Sequence, residues 1–169
     1  MTTAMLADLI RPAGRRAGEQ SNFPVYSVTK HSGFVPSLEY FRKQVFSRDV
    51  EGYKLVEPGD FAYATIHLDE GSIGIAPERG LISPMYTVFR ANESLVDADY
   101  LIRFLKSPRA LAHYPQLGKG AVHRRKAISL AALGSLPIPL PPLAEQRRIA
   151  AILDWADKIR TKRRRIGGH

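Results

Sequence analysis

The sequence contains no cysteine among its 169 residues. A disulfide framework, a thiolate metal site and a cysteine nucleophile are therefore excluded. The five histidines are scattered along the chain, and none has the spacing of a zinc-binding pair. The first ten residues lack the basic start that precedes the apolar run of a secretion signal. We therefore expect no metal site and a location in the cytoplasm.

Long uncharged runs are also scarce. The longest extends over residues 127–144, and it contains Gly134 and four prolines between residues 137 and 142. Such a run cannot form a membrane-spanning helix. Phosphate-binding glycine loops are missing as well, because the best match, Gly71 to Gly74, lacks both a third glycine and a lysine. The sequence thus predicts neither a membrane span nor a cofactor.

Motifs of catalytic residues are also scarce in the sequence. No serine lies in the sequence context of a nucleophile elbow. Asp69 and Glu70 form an adjacent acidic pair beside turn residues, whereas the metal-binding carboxylates of nucleases usually converge from separate strands. We therefore predict a binding protein without catalytic residues, and a metal-dependent nuclease that uses Asp69 is the enzymatic alternative.

Acidic residues are absent from residues 100–144, which carry seven lysines and arginines. Residues 1–99 carry 10 basic and 13 acidic side chains, and residues 145–169 carry 8 basic and 3 acidic ones. The net charge of +9 is therefore concentrated in the second half of the chain. A surface of this kind attracts polyanions, of which nucleic acid is the most common. The alternative is a basic surface that contacts only solvent.

The spacing of β-favouring residues and turn residues predicts several short strands in the first 90 residues. They are expected at residues 23–28, 53–56 and 61–66, and in a hairpin formed by residues 72–76 and 81–90. A short helix is expected at residues 40–46. Two further helices are predicted from Asp97 to Lys106 and from Ser107 to Gly118, followed by an extended segment at 136–140. These elements predict an α+β fold with a mixed or antiparallel sheet.

A long helix is predicted from Leu143 to Arg165, because this segment contains neither proline nor glycine. Its apolar residues cover an arc of about 160°, whereas a single contact needs about 100°. We therefore expect two contacts, one with the helix's own domain and one with another helix. The predicted boundary separates a domain at 1–140 from a helical segment at 141–169. The apolar residues are Ile149, Ile152, Leu153, Trp155, Ala156 and Ile159.

The segment Leu136 to Leu143, followed by Glu145, Gln146 and Ile149, resembles a junction in the specificity subunits of type I restriction–modification enzymes. At that junction a target-recognition domain joins a long helix. Other segments are similar to strands of the same domain, and the resemblance extends from about Tyr26 to Arg165. These segments are Tyr26 to His31, Tyr53 to Val56, Pro58 to Phe61, Gly71 to Gly74 and Ile82 to Phe89.

The resemblance implies a non-catalytic reader of double-stranded DNA. In this family each recognition domain reads one half of a bipartite target, and the helices pair in an antiparallel coil that sets the separation of the halves. Methyltransferase subunits dock on this scaffold, and a motor-nuclease subunit completes the complex. The family plan has two recognition domains and two helical segments in each chain, whereas this sequence has one of each. We therefore expect a half-size subunit that forms a homodimer; a truncated module that pairs with or competes with an intact subunit is the alternative.

Basic residues beside loops and turns are the predicted DNA contacts. Most of them flank the glycines at 118–120, and the others lie at a predicted strand end or hairpin tip. Which of them contact bases and which contact phosphates is left open. The predicted set is Lys30, His31, Arg79, Lys119, His123, Arg124, Arg125 and Lys126. On the helix, Ile149, Ile152, Ala156 and Ile159 have the 3-4-3 spacing of a coiled-coil seam. Trp155 is a candidate anchor of that interface, and the alternative is that it packs on its own domain.

Overall fold

The structure is a computed structural model that describes residues 2–20, 22–37, 50–118 and 127–166. It contains short strands through most of its length and a long helix at the carboxyl terminus. The strands are β1 (Thr3–Met5), β2 (Ile10–Pro12), β3 (Val25–Thr29), β4 (Gly33–Pro36), β5 (Lys54–Val56), β6 (Phe61–Ala64), β7 (Ile73–Ile75), β8 (Gly80–Ile82), β9 (Tyr86–Ala91) and β10 (Pro137–Pro139). The α-helices are α1 (Ala98–Leu105), α2 (Pro108–Leu117), α3 (Leu130–Leu133) and α4 (Leu143–Ile166).

The strands form three sheets. One is antiparallel, with the order β2-β9-β6-β7, and we call it the central sheet. The second has the order β4-β3-β8-β5 and is mixed, because β3 and β8 run parallel. The third is a pair of β1 and β10. Mixed and antiparallel sheets followed by a long helix confirm the α+β prediction.

The central sheet is buried on both faces because its strand β6 is apolar on both sides. Side chains alternate between the faces of a strand. Phe61 and Tyr63 point into a core that includes residues of α1, α2 and β9, whereas Ala62 packs with Tyr26 and Val28 of the mixed sheet. The mixed sheet in turn buries Val25 on its far side. The helices therefore lie on one face of the central sheet, and the mixed sheet lies on the other.

The predicted hairpin of residues 72–76 and 81–90 is wrong. β7 belongs to the central sheet and β8 to the mixed sheet, so the turn between them carries the chain from one sheet to the other. The predicted second arm is also divided, because a turn closed by the hydrogen bond from Tyr86 N to Ser83 O (3.1 Å) interrupts it at Pro84. This turn returns the chain to the central sheet as β9. The predicted helix at 40–46 lies outside the described residues.

The strand registers bring the turns together at two ends of the sheets. Because β3 and β8 are parallel, with Tyr26 opposite Ile82, the turns that follow them leave from the same end. Thr65 N donates to Met85 O (3.3 Å), so the residues after β6 lie there too. We call this end, formed by residues 30–32, 65–67 and 83–85, the top of the sheets. The opposite end, formed by residues 57–60 and 76–79, is the bottom.

The long helix α4 begins directly after Pro142, as predicted. Its 24 residues correspond to a length of about 36 Å. The first turns of α4 pack against the three sheets and the shorter helices, which we call the body. Gln146 and Ala150 are buried there, whereas Ile152, Leu153 and Trp155 are exposed. The segment before the helix is extended, and β10 pairs with β1, so that Ile138 lies opposite Ala4.

Replacing Phe61 by alanine should strongly destabilise the fold. Phe61 is fully buried and stacks on Phe89 with 4.9 Å between ring centroids. We expect the free energy of unfolding to fall by about 3–5 kcal/mol in urea titrations, with an unchanged slope. Met85→Ala is the control, because Met85 is 62% exposed, and we expect it to change stability by less than about 0.5 kcal/mol. Equal losses in both variants would contradict this account of the core.

Candidate functional site

Lys30 and His31 lie at the top of the sheets, in the tight turn between β3 and β4. The Thr29 hydroxyl accepts a hydrogen bond from Ser32 N (3.1 Å) and donates one to Gly33 O (3.2 Å). Gly33 has a φ of 58°, a left-handed conformation that favours glycine. The backbone of this turn is therefore held in place, and the side chains of Lys30 and His31 are exposed.

Arg79 lies at the bottom of the sheets, away from Lys30 and His31. Its Nε is 2.8 Å from Glu57 Oε1, and its guanidinium lies 5.6 Å from the centroid of the Phe23 ring. The structure therefore does not bring Arg79 together with the other two described members of the predicted set. Because Glu57 offsets its charge locally, Arg79 contributes little net positive potential there.

The other predicted DNA contacts, Lys119, His123, Arg124, Arg125 and Lys126, lie outside the described residues. The residues on either side of this segment are described, and they meet near the top of the sheets. Leu117 and Ala127 line one cleft of about 630 Å³ together with Thr65. The Ile128 amide donates to Thr65 O (2.9 Å). Both flanks of the segment therefore lie beside Thr65.

The buried side chain of Tyr63 holds Ile128, which lies in the flank that begins at Ala127. The Tyr63 hydroxyl donates to Ile128 O at 2.8 Å, and the ring is fully buried. Burial raises the pKa of Tyr63 to about 12. The phenol is therefore protonated at neutral pH and serves as a hydrogen-bond donor. Residue 128 is thus tied through its carbonyl to Tyr63 of the central strand β6, and through its amide to Thr65 just after that strand.

Two further lysines reach the top of the sheets, and the sequence analysis missed both. Lys54 Nζ donates to Tyr86 O (2.5 Å), and Lys106 Nζ donates to Lys30 O (3.0 Å). Burial lowers the pKa of both ammonium groups. Their acceptors are neutral carbonyl groups, which satisfy the donors without cancelling the charge. No local pattern in the sequence relates Lys30, Lys54 and Lys106, because only the tertiary fold brings them together.

The acidic pair Asp69 and Glu70 lies in a short 3-10 turn after β6, and both residues are exposed. Glu70 Oε2 is 2.6 Å from His67 Nδ1. In the part of the chain that the structure describes, no group of three histidine, aspartate or glutamate side chains is placed to hold a metal ion. The geometry around Asp69 thus offers no support for the nuclease alternative.

Met85 is the most exposed large apolar residue in the turns at the top of the sheets, with an exposed fraction of 62%. It lies in the turn from Ser83 to Tyr86, in which Met85 N donates to Ser83 Oγ (3.1 Å). Val28 N donates to the Tyr86 hydroxyl (3.1 Å), which fastens the turn to β3. An apolar side chain is therefore exposed on a well-supported turn at the top of the sheets.

The predicted apolar residues of α4 lie along one stripe of the helix. Ile152, Leu153 and Trp155 are 54%, 42% and 66% exposed, and Ile149, Ala156 and Ile159 are partly buried. The contact with the body uses a different side of the helix, where Gln146 and Ala150 are buried.

Among the described helices, none is long and apolar enough to cross a membrane.

Comparison with known proteins gives consistent matches. Residues 48–166 match the family model of the type I restriction modification DNA specificity domain. A putative type I restriction enzyme MjaX specificity subunit from Methanocaldococcus jannaschii is 30% identical over 122 residues, which are 69% of this chain and 28% of that protein.

Solved structures share the fold. The HsdS subunit from Thermoanaerobacter tengcongensis superposes with a TM-score of 0.76 at 20% identity, covering 96% of this chain and 44% of that one. The S subunit of a type I restriction-modification system from M. genitalium gives a TM-score of 0.57 at 11% identity, covering 93% and 39%. The chain thus spans less than half the length of these relatives. Since the family model covers well over half of the sequence, the chain belongs to the family of type I restriction modification DNA specificity domains.

Proposed function

We propose that this chain recognises one half of a bipartite DNA target as the recognition part of a type I specificity subunit. The observation that carries the proposal is the convergence at the top of the sheets. Lys30, Lys54 and Lys106 meet there, and the flanks of the segment with Lys119, Arg124, Arg125 and Lys126 meet beside the same end. A concentration of cations is typical of a surface that binds the phosphate backbone. The exposed carboxylate of Glu70 at the same end pairs with His67.

The lysines and the loop residues would have different tasks. Phosphate contacts position a protein on the duplex, whereas contacts to base edges provide sequence specificity. Lys54 and Lys106 are held by backbone carbonyls, so we assign them to the electrostatic field and to phosphates. Lys30, His31 and Met85 are exposed on supported turns, so we assign them to base edges in this proposal. An apolar side chain such as Met85 suits a thymine methyl group. The chain itself has no catalytic task in this proposal.

The stripe on α4 would bind a second helix. We define the stripe as Ile149, Ile152, Leu153, Trp155, Ala156 and Ile159. The partner that we propose is a second copy, whose helix would pair antiparallel. Antiparallel pairing keeps the two carboxyl-terminal segments apart, and each contains five exposed cations between Lys158 and Arg164. The scaffold formed in this way would dock the methyltransferase subunits, and a motor-nuclease subunit would supply cleavage.

A second candidate function rests on the exposure of the same stripe. In this candidate the stripe pairs with, or competes for, the helix of an intact specificity subunit, and the chain acts as an interaction module. Such a module would be a monomer in isolation. The two candidates therefore differ in the oligomeric state of the purified chain.

Lys30→Ala should weaken DNA binding through the loss of a contact at the top of the sheets. We expect the slope of log K against log salt to become less steep by about 0.9, if Lys30 engages one phosphate. If it contacts a base, we expect weaker discrimination at one target position. Fluorescence polarisation with a random duplex pool, in the presence of the methyltransferase subunit, measures both effects. Arg11→Ala removes the same charge from an exposed residue near the bottom and should change neither quantity.

Two results would contradict the DNA proposal. Equal changes in Lys30→Ala and Arg11→Ala would show that the top of the sheets is not the binding surface. A wild-type complex without any sequence preference on the pool would show that the chain does not recognise a target.

Trp155→Ala should dissociate the homodimer. Trp155 is 66% exposed in the isolated chain, and a buried tryptophan anchor is typically worth at least about 2 kcal/mol in an interface, or roughly a 30-fold change in Kd. Light scattering over a concentration series measures this change. Met85→Ala, another exposed apolar residue, should leave the dimer intact. A wild-type chain that is monomeric and binds an intact specificity subunit would support the second candidate instead.

A further inference from the structure

The helix α4 is attached to the body at two separate points. The first is Gln146, which is fully buried. Its Oε1 accepts from Asp97 N (2.8 Å), and its Nε2 donates to Pro141 O (2.8 Å) and to Leu95 O (3.3 Å). A side-chain amide with all of these partners satisfied fixes the position of the first helical turn relative to the start of α1.

The second point is an ion-pair cluster around Arg103 of α1. Its Nη1 is 2.9 Å from Asp157 Oδ2, and its Nη2 donates to Asp154 Oδ1. Asp99, one turn earlier on α1, lies 3.7 Å from Arg103 Nε. The hydrogen bond from Arg103 lowers the pKa of Asp154. One guanidinium thus holds two carboxylates from successive turns of α4, which suits the planar fork of arginine.

The two attachment points lie far enough apart along α4 to define the direction of the helix. Gln146 is separated from Asp154 and Asp157 by 8 and 11 residues, which correspond to about 12–16 Å along the helix. A helix fixed at one point can pivot, whereas a helix fixed at two points has a defined direction. Beyond Asp157 the side chains from Lys158 to Arg164 are exposed, apart from the partly buried Ile159. The direction of this free end is therefore set by the attachment at Arg103.

We propose that Arg103 is a positioning residue that sets the direction of α4 relative to the recognition body. The effect of Arg103 on DNA, described next, rests on the proposed function. If two copies pair through α4, the angle between helix and body determines how far apart the two bodies lie on DNA. The length of DNA between the half-sites is then determined at the Arg103 cluster as well as by the length of the helix.

The direction of α4 can be measured without DNA or a partner. Because the chain lacks cysteine, cysteines introduced at Lys162 and at Glu78 are unique sites for two spin labels. Glu78 lies in the turn at the bottom of the sheets, and both side chains are exposed. Labelled chain is mixed with excess unlabelled chain, so that pulsed electron resonance reports the distance within one copy.

Arg103→Ala should broaden the distance distribution, because α4 then pivots about Gln146. Arg103→Lys keeps the charge but not the fork, and we expect an intermediate width. Arg148→Ala is the matched control: it removes an arginine–carboxylate pair within α4, with Glu145 (2.6 Å), that does not reach the body. It should leave the distribution unchanged. An unchanged, narrow distribution in Arg103→Ala, with folding verified by circular dichroism, would overturn the proposal.

The consequence for DNA is tested by mapping methylated sites in a host that carries the chain with its methyltransferase subunit. With Arg103→Ala we expect the same half-site sequences as in the wild type, separated by more than one spacer length. A single, unchanged spacer in the variant would overturn the link between Arg103 and site separation. If wild type itself yields no methylated target, the proposed function fails, whereas the spin-label distances still decide the role of Arg103.

Discussion

The burial of the central sheet on both faces is the constraint on which the rest of the structure depends. Phe61 and Tyr63 require a cover on one side, and Ala62 and Val88 require a cover on the other. The helices provide the first cover and the mixed sheet provides the second. Because the chain passes repeatedly between the two sheets, its turns are restricted to two ends. The location of the candidate site follows from this packing, since it occupies one of those ends.

The two ends differ in the acceptors that their lysine and arginine side chains contact. At the bottom, Arg90 donates to both carboxylate oxygens of the fully buried Asp60, and Arg79 pairs with Glu57. At the top, Lys54 and Lys106 donate to carbonyl oxygens instead. A carbonyl satisfies the hydrogen-bond donor but leaves the formal charge, so the field extends into solvent. The electrostatic field at each end therefore depends on which acceptors the cations contact, and the number of cations in the sequence does not show this.

Local patterns in the sequence predicted what depends on local geometry. The long helix, its apolar stripe and the extended segment before it follow from periodicity and from proline, and all are present. The hairpin prediction failed because turn residues at 77–80 show that the chain reverses, but not which sheet it joins next. Lys54 and Lys106 were missed for the same reason, since each meets its partner only through strand register and helix packing. Gln146 was recognised as part of the junction, but its burial could not be read from a single polar residue.

The attachment of α4 explains how one helix can serve two contacts. Had the helix packed on its own body through the apolar stripe, no surface would remain for a partner. The contact with the body instead uses an amide and a charged cluster, whose hydrogen bonds depend strongly on direction. Apolar contacts are less directional and contribute more to affinity. The polar attachment therefore sets the direction of the helix. The apolar stripe beside it stays exposed and is available for pairing with another helix.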